Sequence, residues 1–238
     1  MATPPVGALL FDVFGTVVDW RGSVIRAGES LSERTGRSVD WPAFADRWRL
    51  EGYLAPIGRI VRGAEPWRDV DALLDAQFDL QAAEAGLLDV ASAELAPLRR
   101  IWHHLDPWPD AVGGIRRLRT AYVVAPLSNG GFAMLTTMAK RADLGWDCII
   151  STELFRAYKP DPAAYRGGAA LVGLPPEQVM LVAAHPGDLR AAQRAGLRAA
   201  YVPRPLEWGP SAPAPEDPDP SFDVVAEDFD ALGAVLGR

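Results

Sequence analysis

Six short apolar runs, separated by stretches of helical periodicity, constrain the fold of this chain more than any other feature. The runs are residues 8–11, 122–125, 148–150, 179–183, 199–202 and 222–225. Continuous apolar runs of this length are typical of strands that are buried on both faces. Helical patterns follow the later runs or lie between them, at 111–119, 131–141, 162–171, 189–195 and 229–236. This alternation predicts an α/β fold, a Rossmann-like doubly wound parallel sheet with helices on both faces.

The stretch after the first strand has a different character. It contains no convincing strand and gives amphipathic helical patterns near 24–35, 41–62, 67–85 and 91–105. Pro56 should kink or split the second of these helices, because proline lacks the backbone N–H donor. We therefore predict a core domain of residues 1–19 and 106–238, with a helical cap domain of residues 20–105 inserted after the first strand. The Pro-, Glu- and Asp-rich residues 203–220 are predicted to form a surface loop.

Composition limits the partners of this chain. It carries 24 Lys and Arg against 31 Asp and Glu, a formal net charge of −7, which offers no general attraction to nucleic acid or anionic lipid. No apolar run approaches the roughly 18 residues of a membrane helix, and the N-terminal residues lack the basic region of a signal peptide. The single cysteine, Cys148, cannot form an internal disulfide and is predicted to lie in the core. We expect a soluble, cytoplasmic protein that binds neither nucleic acid nor membranes.

Polar residues follow four of the predicted strands, and ligands of open parallel sheets bind at the carboxyl ends of the strands. These residues are Asp12 and Thr16 after the first strand, Ser128 and Asn129 after the second, Lys159 beyond the third, and His185 and Asp188 after the fourth. Each of them alone is as typical of a turn, a helix cap or a solvated loop. Their order, at the expected distance after each strand, predicts one shared site.

This order resembles the haloacid dehalogenase superfamily, and the resemblance covers nearly the whole chain, including the helical insertion. Asp12 matches the aspartate nucleophile of the superfamily. In its phosphatases a second aspartate, the general acid and base, follows two positions later, where this chain has Phe14. An aspartate that helps to hold magnesium is also missing, because Ala183, Ala184 and His185 stand in the fourth motif. A magnesium-dependent phosphatase and a non-catalytic binding protein that has kept the fold are the alternatives.

Within the superfamily, the chain resembles the type II (S)-2-haloacid dehalogenases. The matching residues are the segment 11–20, Ser128-Asn129, the segment 158–161 with Tyr165, Asp188-Leu189, and Trp48-Arg49 in the cap. The resemblance implies a hydrolase of carbon–halogen bonds that needs no metal or other cofactor and acts on short 2-haloalkanoates such as haloacetate and (S)-2-halopropionate. Asp12 would displace the halide from Cα, and water would hydrolyse the resulting ester.

The resemblance also implies roles for individual residues. Lys159 would keep Asp12 ionised, Asp188 would hold Lys159 and help to orient or deprotonate water, and Thr16 would support the nucleophile. The substrate carboxylate would be bound by Ser128 and by the backbone amides after Asp12, at Val13 and Phe14. Arg49 and Asn129 would receive the departing halide. Aromatic residues of the insertion either line a cavity between the domains or pack in the core: Trp20, Trp48, Tyr53 and Trp67.

The chain departs from the commonest type II pattern at Phe14, which replaces an aromatic hydroxyl, at His185, which replaces an asparagine, and at Ala183, which replaces a serine. A subgroup with a similar Ala-Ala-His segment has members associated with fluoroacetate. His185 would then be a hydrogen-bond donor to fluoride or the base for hydrolysis, and both roles are open. Dimerisation is common among such enzymes, so a homodimer is an alternative to a monomer.

Overall fold

A six-stranded parallel sheet forms the centre of the computed structural model, which describes residues 5–237. Its strands are β1 (Ala8–Phe11), β4 (Val123–Ser128), β5 (Ile150–Ser151), β6 (Val179–Ala183), β7 (Arg198–Tyr201) and β8 (Val224–Val225). They lie in the order β5-β4-β1-β6-β7-β8, and each neighbouring pair is parallel. In the register, Leu9 is opposite Val124 on one side and Met180 on the other. Every residue of β1 and β6 is buried, as their continuous apolar runs predict.

Helices cover both faces of this sheet. They are α6 (Ala111–Leu118), α7 (Phe132–Ala142), α8 (Pro162–Leu171), α9 (Pro186–Arg194) and α10 (Phe229–Val235). Successive side chains of β1 point to opposite faces: Leu9 packs with α6, α7 and α10, whereas Leu10 packs with α8 and α9. The doubly wound α/β prediction is confirmed.

The insertion after β1 is helical, as predicted. It contains α1 (Trp20–Thr35), α2 (Trp41–Arg49), α3 (Ala55–Val61), α4 (Val70–Glu84) and α5 (Ser92–Arg99). The chain enters it through β2 (Val18–Asp19) and leaves it through β3 (Asp106–Pro107), and these two short strands pair with each other in antiparallel fashion. The division into domains at residues 19/20 and 105/106 stays a prediction, and its residues 1–4 and 238 lie outside the described residues.

The second predicted helix of the insertion, 41–62, is interrupted in a specific way. A π-helical turn, Leu50–Leu54, joins α2 to α3, and Pro56 lies in the first turn of α3. The amide of Ala55 donates to the carbonyl of Leu50, five residues earlier, so the helix widens just before the proline. The interruption predicted from Pro56 is therefore a wide turn rather than a sharp break. Turns of this kind are frequent at functional sites.

Several expected boundaries are wrong. The helix predicted for 91–105 ends at Arg99 and is followed by a 3₁₀ turn at Ile101–His103. The strand predicted for 148–150 begins only at Ile150, so Cys148 lies in a bend before the edge strand and is exposed rather than in the core. An apolar run at the edge of a sheet is only partly covered, and its pattern does not show where pairing begins. No helix within residues 5–237 is long and apolar enough to cross a membrane.

Candidate active site

A cavity of about 330 Å³ lies at the carboxyl edge of the sheet. Asp12, directly after β1, forms part of its wall, and the turn between α2 and α3 covers it with Tyr53 and Leu54. The remaining lining residues are Arg49, Asn129, Lys159, Pro160, Tyr165, His185, Gly187, Asp188 and Arg194. Six of the residues predicted from the sequence therefore meet at one cavity: Asp12, Lys159, Asp188, Asn129, Arg49 and His185.

The Asp12 carboxylate is nearly inaccessible to solvent and accepts three hydrogen bonds. Lys159 Nζ lies 2.8 Å from Oδ1, while Thr16 Oγ1 and His185 Nδ1 lie 2.7 and 3.1 Å from Oδ2. Burial alone would raise the pKa of Asp12, but Lys159 and His185 outweigh it and hold this pKa far below its usual range. Asp12 is therefore ionised at neutral pH, which is the form that a nucleophilic carboxylate requires.

Lys159 is held between two carboxylates. Its Nζ lies 2.8 Å from Asp12 Oδ1 and 2.5 Å from Asp188 Oδ2. The other oxygen of Asp188 accepts a hydrogen bond from the Tyr165 hydroxyl at 2.5 Å. Burial alone would lower the pKa of the Lys159 ammonium, but the two carboxylates raise it well above its ordinary value. Lys159 is therefore a fixed positive charge beside Asp12, and both oxygens of Asp188 already have partners.

Asn129 positions the backbone of Lys159. Its Oδ1 accepts from the Lys159 amide at 2.8 Å, and its Nδ2 donates to the Lys159 carbonyl at 3.3 Å. Ser128 is completely buried, and its Oγ accepts from the Gly130 amide at 3.1 Å. Ser128 is thus not among the described residues that line the cavity, and its predicted contact with a substrate carboxylate stays a prediction.

His185 lies between Asp12 and a carboxylate that the sequence analysis missed. Its Nε2 lies 2.9 Å from Glu207 Oε2, on the side opposite Asp12. Burial alone would lower the pKa of His185, but the hydrogen bonds to the two carboxylates raise it to about 10. The ring is therefore an imidazolium at neutral pH, with an N–H directed at each carboxylate. Charges of alternating sign thus run through the site from Asp188 to Lys159, Asp12, His185 and Glu207.

Glu207 corrects the prediction that residues 203–220 form only a surface loop. The segment has no helix or strand, but Glu207 is 6% exposed and also accepts from the indole N–H of Trp20 at 3.0 Å. Burial raises the pKa of Glu207, yet the hydrogen bond and charge of His185 keep it below its usual value. A Cβ at Gly15 would come within 2.1 Å of Glu207 Oε1, so this glycine leaves room for the carboxylate. The one feature of the sequence that could have identified Glu207 is its position shortly after the carboxyl end of a strand.

Arg49, at the end of α2, is 5% exposed and lies against aromatic rings. Its guanidinium carbon is 4.1 Å from the ring centre of Tyr53, 5.4 Å from that of Trp20 and 5.5 Å from that of Phe14. Its Nε and Nη1 have no hydrogen-bond partner among residues 5–237. Buried donors of a charged group are costly to leave unpaired, so this guanidinium is suited to bind an anion. Phe14 supports Arg49 and is not one of the described residues lining the cavity.

Thr16 connects the nucleophile to the end of β6. Its hydroxyl donates to Asp12 and accepts from the Ala184 amide at 2.9 Å, and the residue is completely buried. The predicted contribution of the Val13 and Phe14 amides to substrate binding stays a prediction. Trp20 and Trp48 are buried in the core, whereas Tyr53 both packs on Arg49 and lines the cavity.

The side chains present do not fit a magnesium site of the phosphatase type. The two positions where phosphatases of the superfamily place their additional carboxylates hold Phe14 and Ala184, and neither side chain has an oxygen. Within residues 5–237, no three His, Cys, Asp or Glu side chains are arranged to hold a metal ion. The positive charge next to Asp12 comes instead from Lys159 and His185.

Comparison with known proteins agrees with the fold of this chain. The family model of haloacid dehalogenase-like hydrolases matches residues 6–196. The chain is 28% identical to (S)-2-haloacid dehalogenase 4A of Burkholderia cepacia, over 83% of each protein. It is 24% identical to (S)-2-haloacid dehalogenase H-109 of Pseudomonas putida, over 84% of this chain and 87% of that protein. A solved defluorinating L-2-haloacid dehalogenase is 43% identical, with a TM-score of 0.92, over 98% of this chain and 96% of that one. A further solved L-2-haloacid dehalogenase is 39% identical, with a TM-score of 0.92, over 98% of this chain and 99% of that one.

Proposed function

Because this chain belongs to the haloacid dehalogenase-like hydrolases, we propose that it hydrolyses the carbon–halogen bond of short 2-haloalkanoates through an ester of Asp12. The observation that carries the proposal is the buried, ionised Asp12 carboxylate on the wall of a cavity that is also lined by Arg49, whose Nε and Nη1 have no partner among residues 5–237. A carboxylate nucleophile and a donor for the departing anion are the two groups that a displacement at Cα needs. The named relatives, which are (S)-2-haloacid and L-2-haloacid dehalogenases, support this reaction.

In the first step an oxygen of Asp12 attacks Cα from the side opposite the halogen. The carbon–oxygen bond forms as the carbon–halogen bond breaks, the halide leaves with the electron pair, and the configuration at Cα inverts. Arg49 receives the halide through its free donors, with Asn129 beside it at the cavity wall. Ser128 and the amides after Asp12 bind the substrate carboxylate.

Formation of the ester changes the charge around His185. The Asp12 oxygens become those of a neutral ester, so only Glu207 still faces the imidazolium as a carboxylate. The pKa of His185 falls, and the ring releases the proton that accompanies the halide into solution. We assign the neutral ring, held by Glu207, as the base for the second step. Asp188 is a poorer base, because Lys159 and Tyr165 already occupy its two oxygens.

In the second step water adds to the Asp12 side-chain carbon and gives one proton to His185. When the intermediate collapses, the bond between this carbon and the substrate oxygen breaks. The remaining hydroxyl proton passes to the departing alkoxide, so the products are a 2-hydroxy acid and the Asp12 carboxylate. Lys159 stabilises the negative charge that develops on Asp12 during this step. The site then regains its starting charges.

Fluoroacetate is included among the proposed substrates. Fluoride is a poor leaving group, and strong charged donors favour its departure. Arg49 provides such a donor at the cavity, since its Nε and Nη1 have no hydrogen-bond partner among residues 5–237. The solved structure that is 43% identical belongs to a defluorinating enzyme, which supports this extension.

The test is halide release from fluoroacetate, chloroacetate and both enantiomers of 2-chloropropionate, measured with EDTA present. Asp12→Asn is the control, since it keeps the shape of the side chain and removes its charge. We expect release that survives EDTA and is lost in the variant. If no haloacid releases halide but a phosphate ester is cleaved with Mg²⁺, the phosphatase alternative is correct. If neither reaction occurs, the result favours the non-catalytic alternative, a binding protein that has kept the fold.

A further inference from the structure

A second cavity of about 400 Å³ adjoins the catalytic cavity. Five lining residues are shared by the two cavities, so the cavities are adjacent: Tyr53, Leu54, Asn129, Lys159 and Pro160. The second cavity is closed by Ile57, Gly58 and Val61 of α3 and by Arg62, the residue that follows this helix. We call this second cavity the annex.

The wall of the annex is an apolar helix face. Leu54, Ile57 and Val61 are spaced three and four residues apart, so they lie on one side of the helix. Leu54 and Val61 are 41% and 36% exposed although they are large and apolar, and Pro160 adds a further apolar surface. No lining residue of the annex is acidic. Its polar lining residues are Tyr53, Asn129, Lys159 and Arg62, so the annex is an apolar helix face bordered by polar groups and two cations.

The π-helical turn brings these two surfaces together. Arg49 ends α2 and faces the catalytic cavity, and the turn that begins at Leu50 adds an extra residue before α3. A helix widened in this way changes the direction in which the following residues point. Tyr53 and Leu54, within the turn, line both cavities, and the apolar face of α3 faces the annex.

We propose that the annex binds the alkyl chain of 2-haloalkanoates longer than propionate, such as 2-bromohexanoate. This inference rests on the proposed function. Arg49 binds the halide and polar groups bind the carboxylate. The remaining substituent of Cα is the alkyl chain, and we place it past Lys159 and Pro160 in the annex. Gly58 widens the annex because it has no side chain. Each methylene that leaves water for an apolar wall should raise kcat/KM about fourfold.

The experiment compares kcat/KM for (S)-2-bromohexanoate with that for (S)-2-bromopropionate in wild type and in variants that fill the annex. Gly58→Leu and Val61→Trp place new side chains there. Gly58 has an ordinary helical backbone, and its added Cβ would meet only the flexible end of Arg62 at 3.2 Å. Ala55→Leu is the matched control, because Ala55 is exposed on the same helix and is not a lining residue of either cavity.

We expect wild type to prefer the longer substrate and the ratio of the two kcat/KM values to fall at least tenfold in Gly58→Leu and Val61→Trp, with no change in Ala55→Leu. A ratio that is unchanged in both filling variants would overturn the proposal. An equal loss for both substrates would also overturn it, because the annex would then be an entrance for all substrates. Absence of halide release from either substrate in wild type would instead refute the proposed function.

Discussion

Glu207→Gln should lower the pKa of His185 while leaving the surroundings of the loop intact. The amide oxygen can still accept from the Trp20 indole, while the NH2 group in the place of Oε2 removes both the negative charge and the hydrogen-bond acceptor 2.9 Å from the imidazolium. At an effective dielectric constant of about 20, two unit charges at this distance attract by about 6 kcal/mol. The His185 side chain is 36% exposed, and solvent screening reduces this energy to about 2 kcal/mol. That energy corresponds to a fall of about 1.5 pH units in the pKa of His185.

The assay is a pH titration of the imidazole signals by NMR, with the His185 signal identified by its loss in His185→Asn. Wild type should titrate at a pKa of about 10, and Glu207→Gln should titrate clearly lower. Glu216→Gln is the matched control: Glu216 lies in the same loop but pairs with Arg190 in an exposed position, so it should have no effect. A wild-type pKa near the ordinary value of 6.5, or an identical pKa in Glu207→Gln, would refute the assigned charge pattern.

Three further predictions follow from the same contacts. Thr16→Val removes the hydrogen bond to Asp12 and leaves the buried Ala184 amide unpaired. Urea denaturation should therefore show a loss of about 2–4 kcal/mol in the free energy of unfolding. Thr16→Ser keeps the hydroxyl and should restore most of this loss. Tyr165→Phe removes one of the two partners of Asp188, and steady-state kinetics should show kcat reduced about tenfold with little change in KM. The pKa of Asp12 is lowered in the folded protein, so the ionised Asp12 side chain stabilises the fold above its ordinary pKa of 3.8, and this stabilisation is lost as the pH falls. Acid should therefore lower the free energy of unfolding of wild type more steeply than that of Asp12→Asn.

The parallel sheet and the family could be predicted because they depend on local patterns. β1 and β6 are continuous apolar runs buried on both faces, and the polar residues that follow them meet at one edge of the sheet. The family and the α/β fold are both confirmed by the comparisons. The edge strand β5 was placed too early, because an apolar run does not show where pairing to a single neighbour begins.

Glu207 could not be predicted from local patterns. It lies in a segment whose Pro, Glu and Asp content is typical of exposed loops, and its burial depends on contacts with Trp20 and His185 that are distant in sequence. The role of Arg49 was predicted only by resemblance. The sequence does not show that Nε and Nη1 of Arg49 lack partners or that aromatic rings surround this side chain, because both features depend on how α2 packs against the core.

The most direct test of the central claim follows oxygen through a single turnover. Excess enzyme reacts with (S)-2-chloropropionate in H₂¹⁸O, and mass spectrometry then measures the label in the product and in the peptide that contains Asp12. The ester mechanism predicts that the first product molecule carries unlabelled oxygen from Asp12 and that the Asp12 peptide gains one ¹⁸O. Labelled product together with an unlabelled Asp12 peptide would show that water attacks Cα directly, and this result would contradict the account.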